Sequence, residues 1–415
     1  MNKKLQQLIE QEIVRQNETI DLIPSENLMS RDILVILGSA LTNKYSEGYS
    51  GKRYYAGNAI YDEIEIMAQE MALKAFGLKN DEWSVNIQPY SGSPANLAVY
   101  VGLMSPGDTL MGMQLAAGGH LTHGHKVSVT GKFFNAVQYG VNKNGKLDYT
   151  EISALAKKHK PKIIVSGTTS YPRKLDFKKF GEIASSVGAY HIADISHIAG
   201  LVLAGNHGAP FKHAHAVTMT THKTLRGPRG AIIIARKSPL IAGKGAINEA
   251  IDKAVFPGLQ GGPHNNQTAA IVQCFDEAMK SDFKKYGQQI IKNAKALEIG
   301  LKLRGFKLVT GGTDNHLLLI DLQNFGISGQ DAQNILEENG IIVNRNSVPR
   351  DTSPFNPSGI RIGSPLVTTR GMKEKEMAKI AELIYKALVL KENIKEETKK
   401  LALKFPAEKF VKWIK

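Results

Sequence analysis

The sequence predicts an α/β protein with a large, mostly parallel sheet domain and a smaller α/β domain after it. Three observations carry this. Between about residues 60 and 240, helical patterns alternate with short β-rich runs. Those runs, SVNIQP, KIIVSG, AYHIADIS, AVTMTT and AIIIA, are strongly apolar, as strands buried on both faces must be. The length of 415 residues exceeds what one ordinary core organises.

In chain order, residues 3–20 show Leu5, Leu8, Ile9, Ile13 and Val14 near helical spacing, which predicts an amphipathic helix. Residues 22–57 are polar, Gly- and Tyr-rich and weakly periodic; so long an irregular stretch is usually functional or wraps a neighbour. YDEIEIMAQEMALKAFGL is a helix, and the five strands with their intervening helices follow. The Gly/Pro-rich FPGLQGGPHNNQ (256–267) then leads into one long predicted helix over 267–304. HLLLIDL and IRIG read as strands, and 328–339 and 371–391 as helices. The expected division is an arm and large domain over 1–275 and a small domain over 276–415.

Composition excludes several classes. With 42% apolar and 22% charged residues, the chain is neither disordered, collagenous nor a coiled coil. No apolar run approaches the roughly 20 residues of a membrane helix. The start, MNKKLQQLIEQEIVRQ, has no apolar core of a secretory leader, and a single cysteine, Cys274, excludes an internal disulfide. A cytoplasmic protein is expected. The formal charge is +15, but only 12 of the 53 basic residues are Arg, and residues 391–415 alone hold eight Lys against four Glu. A Lys-rich solvated surface is expected, with neither nucleic acid nor membrane as partner. Arg kept inside a polar motif, as at Arg53, Arg229 and Arg361, suggests that a planar fork is wanted there.

In an open α/β sheet, ligands sit beyond the carboxyl ends of the strands, so polar residues that end strands are the ones to weigh. After Gln88 comes Ser91-Gly92-Ser93 at a helix start, which reads as an anion cradle or as a simple Ser cap. GGHLTHGHK (118–126) brings three His, two of them at 123 and 125, but no nearby carboxylate or Cys completes a metal site, and none is expected. AYHIAD ends in Asp194, with His197 three residues on. Lys223 follows a strand beside His222 and among Thr220, Thr221 and Thr224; an amine held there with a lowered pKa can form a Schiff base. Arg361 lies inside IRIG, to bind a substrate carboxylate or to form an internal salt bridge. Together the parts fit pyridoxal phosphate: a phosphate loop, an aspartate for the ring nitrogen, a Schiff-base lysine and a carboxylate-binding arginine.

LIPSEN, LTNKYSEGYSGKRYYAG, QPYSGSPAN, GGHLTHG, VTGKFF, DISHIAGLVLAG, THKTLRGPRG, FPGLQGGPH, TDNHLLLIDL and SGIRIGSP run in order from residue 22 to about 370. In these motifs the chain resembles serine hydroxymethyltransferase. The resemblance implies a fold-type I pyridoxal phosphate transferase that interconverts L-serine plus tetrahydrofolate with glycine plus 5,10-methylenetetrahydrofolate. It implies Lys223 as Schiff-base lysine, with His222 and Thr220 beside it among the catalytic residues, and His120 stacked on the cofactor ring. Asp194 would pair with the ring nitrogen and His197 with its phenolic oxygen. Ser91, Gly92 and Ser93 would hold the phosphate, with Tyr45 and with Gly261 and Gly262 of a partner subunit. Thr169 stands among the cofactor contacts. Ser25, His197 and Arg361 would bind the amino acid. Glu47, as acid–base group, and Tyr55 would cross a homodimer interface to the substrate hydroxyl and the folate. Leu115, Gly119, Leu121, Asn346 and the segment Ser353, Pro354, Phe355 would line the folate site.

This chain departs from the family pattern at Tyr90 and Pro94 (commonly His and Gln), Ser196 (Ala), Met219 (Thr), Ser50 (Pro) and Thr169 (a small residue or Ser). None removes a charged catalytic group. The basic surplus would suit a polyanionic folate polyglutamate. A folate-independent β-hydroxy amino acid (threonine) aldolase needs the same cofactor parts without the folate pocket, and is the rival reading.

Overall fold

The computed structural model describes residues 1–241, 243, 245–349, 351 and 356–407. Seven strands make the large sheet: β1 (Trp83–Asn86), β2 (Thr109–Met113), β3 (Asn135–Tyr139), β4 (Ile163–Gly167), β5 (Tyr190–Asp194), β6 (Ala216–Thr220) and β7 (Ala231–Arg236). Their order is β1-β7-β6-β5-β4-β2-β3. Only β7 runs antiparallel to its neighbours. Alternate side chains point to opposite faces. Thus Ile164, Ile232 and Ile234 enter one buried cluster, while Ile163, Val165 and Ile233 enter another. Burial on both faces explains the continuous apolar runs. β2 and β3 were not visible as strands in the sequence. Gly112 interrupts the first, and β3 is a half-exposed edge strand.

The helices that position the site are α1 (Lys3–Glu18), α2 (Ala59–Phe76), α3 (Gly92–Leu103), α4 (Asn265–Ala278) and α5 (Ser281–Lys302). The long helix expected over 267–304 is in fact α4 and α5. The Met279 N–H closes α4 on Phe275 and Glu277, and Lys280 is extended (ψ 151°). Asp282 then favours a new first turn. α1 leaves Leu5, Leu8 and Val14 about half exposed in the single chain.

A second sheet is antiparallel, β8 (Lys307–Leu308), β9 (Leu317–Asp321), β10 (Asn344–Asn346) and β11 (Gly359–Gly363), in the order β8-β9-β11-β10. It is covered by α6 (Gly329–Glu338) and α7 (Glu374–Leu388). Its core also takes in Ile20 and Leu22, because Ile20–Asp21 pairs in parallel with Ile341–Ile342. The amino-terminal arm is thereby fastened to the second core before it crosses the first. Among the described residues no helix is long and apolar enough to cross a membrane.

Candidate active site

Asp194 ends β5 and is buried. Its Oδ2 accepts from Asn96 Nδ2 at 2.8 Å and His123 Nε2 at 3.1 Å. Its Oδ1 accepts the Ser196 N–H at 3.0 Å and the Ser196 hydroxyl at 2.6 Å. Burial works against the charge, but these donors and the neighbouring imidazoles outweigh it and hold the carboxyl far below the usual carboxylate range. The proton positions follow from the partners. His123 Nδ1 accepts the His120 N–H at 3.2 Å, so its proton sits on Nε2. Asn96 is oriented by the Thr218 hydroxyl, which donates to its Oδ1 at 2.6 Å. The Thr122 hydroxyl accepts from Asn96, so its own proton goes to His120 Nδ1 at 2.7 Å. His120 is neutral, lowered to about 4 by burial and then by His123.

Lys223 lies just past β6. Its Nζ donates to Thr220 Oγ1 at 3.1 Å, and the Thr220 N–H donates to Ser196 Oγ at 3.1 Å. Amine and carboxylate are thus joined through Thr220 and Ser196. Asn27, from the arm, donates to the Lys223 carbonyl at 2.9 Å, and the Thr224 hydroxyl donates to the His197 carbonyl at 3.0 Å. Burial lowers the Lys223 amine to about 8, with Arg361 and Arg229 adding to the effect and Asp194 opposing it. His222 is lowered to about 3 by burial, then by Lys223 and Arg229. With Ser25 and Arg229 it lines a cleft of about 220 Å³.

Ser91 caps α3 in position but makes no side-chain cap bond. The simple Ser-cap reading therefore fails, and the hydroxyl stays available beside the helix N-terminus. Pro94 contributes no N–H there. Gly92 must be Gly, since a Cβ would stand 2.7 Å from Thr220 Cγ2. The loop is thereby pressed against the strand end that carries Lys223.

Arg361, in β11, is partly buried among neutral partners. Its Nε donates to Asn344 Oδ1 at 3.0 Å and its Nη1 to the Thr169 carbonyl at 2.6 Å. Among the described residues it has no ion-pair partner, so no internal salt bridge accounts for it there. Burial lowers it to about 10, where it is still charged at neutral pH. Thr169 in turn donates to the Gly119 carbonyl at 2.8 Å, linking the 115–121 loop through Thr169 to Arg361. Leu115 is half-buried there and Leu121 is exposed. Asn346 ends β10 and donates to the Ser347 carbonyl at 2.8 Å. Ser353, Pro354 and Phe355 lie outside the described residues.

A second cluster gathers Tyr45, Glu47, Tyr55, Gly261 and Gly262. The Tyr45 and Tyr55 rings are 5.0 Å apart and about half exposed. Gly261 and Gly262 pack against Glu47 and Tyr45. Tyr90 stacks on His264 at 4.3 Å and donates its hydroxyl to the Gly262 carbonyl at 2.8 Å, so this cluster abuts the Ser91 loop. Tyr45, Tyr90, Gly261, Gly262 and His264, with Lys44 and Asn265, line an open cavity of about 580 Å³. Behind it, Arg53 uses its fork fully. It donates to the carbonyls of Ser46 and Gly48 and pairs with Asp62 at 2.8 Å and Glu65 at 2.6 Å. None of the described hydrogen bonds joins Glu47 or Tyr55 to Lys223, Asp194 or Arg361.

The profile of the family described as serine hydroxymethyltransferase matches residues 1–384. A serine hydroxymethyltransferase of Desulfotalea psychrophila is 52% identical over 408 residues, which is 96% of this chain and 93% of that protein. The chain belongs to the serine hydroxymethyltransferase family. Its members are fold-type I pyridoxal phosphate enzymes, and the mostly parallel sheet with its strand-end lysine and aspartate is that fold.

Against the serine hydroxymethyltransferase motifs, sequence reasoning missed the residues that act through others. Asn96 and His123 stood inside motifs already marked, but their target, Asp194, lies 98 and 71 residues away. A buried Asn one turn past the Ser91 loop, on an otherwise apolar helix, was the available signal. His123 was weighed only as a metal ligand. Among the described residues no group of three His, Cys, Asp or Glu is arranged to hold a metal.

Proposed function

We propose that this chain interconverts L-serine and tetrahydrofolate with glycine and 5,10-methylenetetrahydrofolate, with pyridoxal phosphate held on Lys223. The observation that carries this reading is the partly buried Lys223 amine, lowered to about 8, within electrostatic reach of an ionised Asp194 and of an Arg361 that has no ion-pair partner among the described residues. The donor set fits the cofactor. A buried, fully donated carboxylate favours a protonated ring nitrogen, and the unspent donors at Ser91, Gly92 and Ser93 suit a phosphate. When bound, pyridoxal phosphate supplies an electron sink for the bonds of the amino acid α-carbon.

The chain's own residues supply the rest. Arg361 would grip the substrate carboxylate and so fix the orientation of the amino acid's α-carbon, a positioning effect worth several kcal/mol, roughly 7 to 11 at best. Ser25 and His197 complete the amino acid site. His120 would help hold the cofactor, and Thr169 keeps the 119 carbonyl in place. Glu47 moves the proton at the substrate hydroxymethyl oxygen and at the folate amine, with Tyr55 beside it. Tyr45, Glu47, Tyr55, Gly261 and Gly262 reach the site of a second copy, so the working form is a homodimer. The exposed tyrosines and the exposed apolar face of α1 support that assembly. Leu115, Gly119, Leu121, Asn346 and 353–355 receive the folate. The division into a large domain (1–275) and a small domain (276–415) is part of this reading, supported by two separate cores, of which the first extends to Ile290 and the second takes in Ile20 and Leu22. Cytoplasmic work agrees with a lone Cys274, buried and with its thiol raised by burial.

Visible absorbance of the protein loaded with pyridoxal phosphate tests this. Glycine plus tetrahydrofolate together should produce a red-shifted band that neither gives alone. Serine cleavage at an unchanged rate without tetrahydrofolate would instead favour the aldolase.

A further inference from the structure

His316 precedes β9 and is fully buried. Its backbone is fixed, since its carbonyl accepts the Ser364 N–H at 3.0 Å. Its Nε2 lies 3.3 Å from His197 Nδ1, with the two rings tilted by 31°. The other nitrogen, His316 Nδ1, is buried and has no partner. Among the described residues His197 Nε2 makes no hydrogen bond either. That ring sits in the field of Lys223, Arg361 and His120.

Two bare nitrogens at this distance would repel, so one proton lies between the rings. Both rings are neutral at pH 7. Burial first, then Arg361, lowers His316 to about 3; burial first, then Lys223, holds His197 well below its ordinary value. Two arrangements remain. If His197 donated from Nδ1, a neutral His316 would carry its proton on Nδ1. That would strand a buried N–H with no acceptor, the less tolerated kind of orphan. If His316 donates from Nε2, its Nδ1 is a lone pair with no proton to place. His197, accepting at Nδ1, must then carry its proton on Nε2.

We propose that His316 is a positioning residue that fixes His197 as its Nε2–H tautomer, so that His197 presents a donor, never a lone pair, to an anionic oxygen of the bound cofactor or substrate. Such a hydrogen bond is charge-assisted, whereas a lone pair aimed at the same oxygen would repel it. An amide in place of His316 could turn either end toward His197. A neutral imidazole walled in this way has one choice. The proposal rests on the reading of His197 as a residue of the cofactor and amino acid site, and the experiment separates the two.

Protein labelled with ¹⁵N-histidine and stripped of cofactor, observed by long-range ¹H–¹⁵N correlation, reports each ring's tautomer. His197→Asn and His316→Leu variants assign the signals. Both rings should show Nε2–H with unprotonated Nδ1 throughout about pH 6 to 9. An Nδ1–H signal on either ring overturns the pairing. Titrating pyridoxal phosphate into the wild type should move the His197 Nε2–H signal more than that of His316. If neither moves, the pairing can stand but the donor faces no cofactor, and the proposal fails through the site reading. In His316→Leu, His197 should populate both tautomers and the pyridoxal phosphate Kd should rise about five- to tenfold. His316→Gln should fall between. A His316→Leu protein that keeps both the His197 tautomer and the wild-type Kd overturns the positioning role.

Discussion

The surroundings of Asp194 and the arm around Glu47 are both polar and both rich in Gly, yet they are finished to different degrees. Around Asp194 every donor has an acceptor within the same chain: Asn96, His123, Ser196, Thr220 and Thr122 form one connected set. Around Glu47 the support is equally complete from behind, where Arg53 is tied to two carbonyls and two carboxylates. The forward face is open, with Tyr45 and Tyr55 about half exposed. The difference teaches that a single chain preorganises what holds and tunes the cofactor. It only presents, on a rigid mount, the residues proposed to serve the hydroxymethyl group and the folate. Rigidity behind with exposure in front is what a residue delivered to another subunit requires.

The largest effect should come from the finished region. Arg361→Ala removes a guanidinium held by Asn344 and Thr169, so the two charge-assisted bonds proposed for it to a substrate carboxylate would be lost outright. At about 2 kcal/mol each, kcat/KM for serine should fall about 10³-fold. Pyridoxal phosphate should still bind, as its visible absorbance will show. A change of less than tenfold would mean that the carboxylate is held elsewhere.

The open region is tested by mixing subunits. Glu47→Gln and Lys223→Ala should each silence their own dimers. If Glu47 serves the neighbour's site, mixed dimers contain one site with both lesions and one with neither. Random mixing should then restore about a quarter of wild-type activity. If Glu47 serves its own chain, both sites of a mixed dimer stay broken and activity stays at background. That result would turn the comparison around and make the arm part of the finished region.

How much of this could be read from the sequence follows the same division. Asp194, Lys223 and Arg361 were legible because strand ends declare themselves, and a charged residue against an apolar run has few structural reasons to be there. The Ser91 loop was half legible, since capping and anion binding use the same residues. Only the absent cap bond separates them. His316 was illegible. It looks like the polar edge of HLLLIDL, and its partner lies 119 residues earlier. Asn344, which steers Arg361, sits on a three-residue strand that no periodicity reveals. The break between α4 and α5 was missed because apolar spacing continues across it while one extended residue, Lys280, turns the chain.

The smallest effect is a shift in a pH profile, and it reads the finished region directly. Burial, then Arg361 and Arg229, favours the neutral Lys223 amine, while Asp194 favours the ammonium; the balance lies at about 8. The neutral amine is the nucleophile. Uptake of pyridoxal phosphate by stripped protein should therefore be slow below that pH, rise through about 8, and level above it. An exposed lysine would keep gaining until about 10.4. The sign of each neighbour can be checked in the same assay. Replacing Arg361 by Ala removes a charge that disfavours the ammonium, so the midpoint moves up. Replacing Asp194 by Asn removes one that favours it, so the midpoint moves down. Midpoints that stay put in both variants would mean that desolvation alone sets the amine, and that the link through Thr220 and Ser196 orients Lys223 without tuning it.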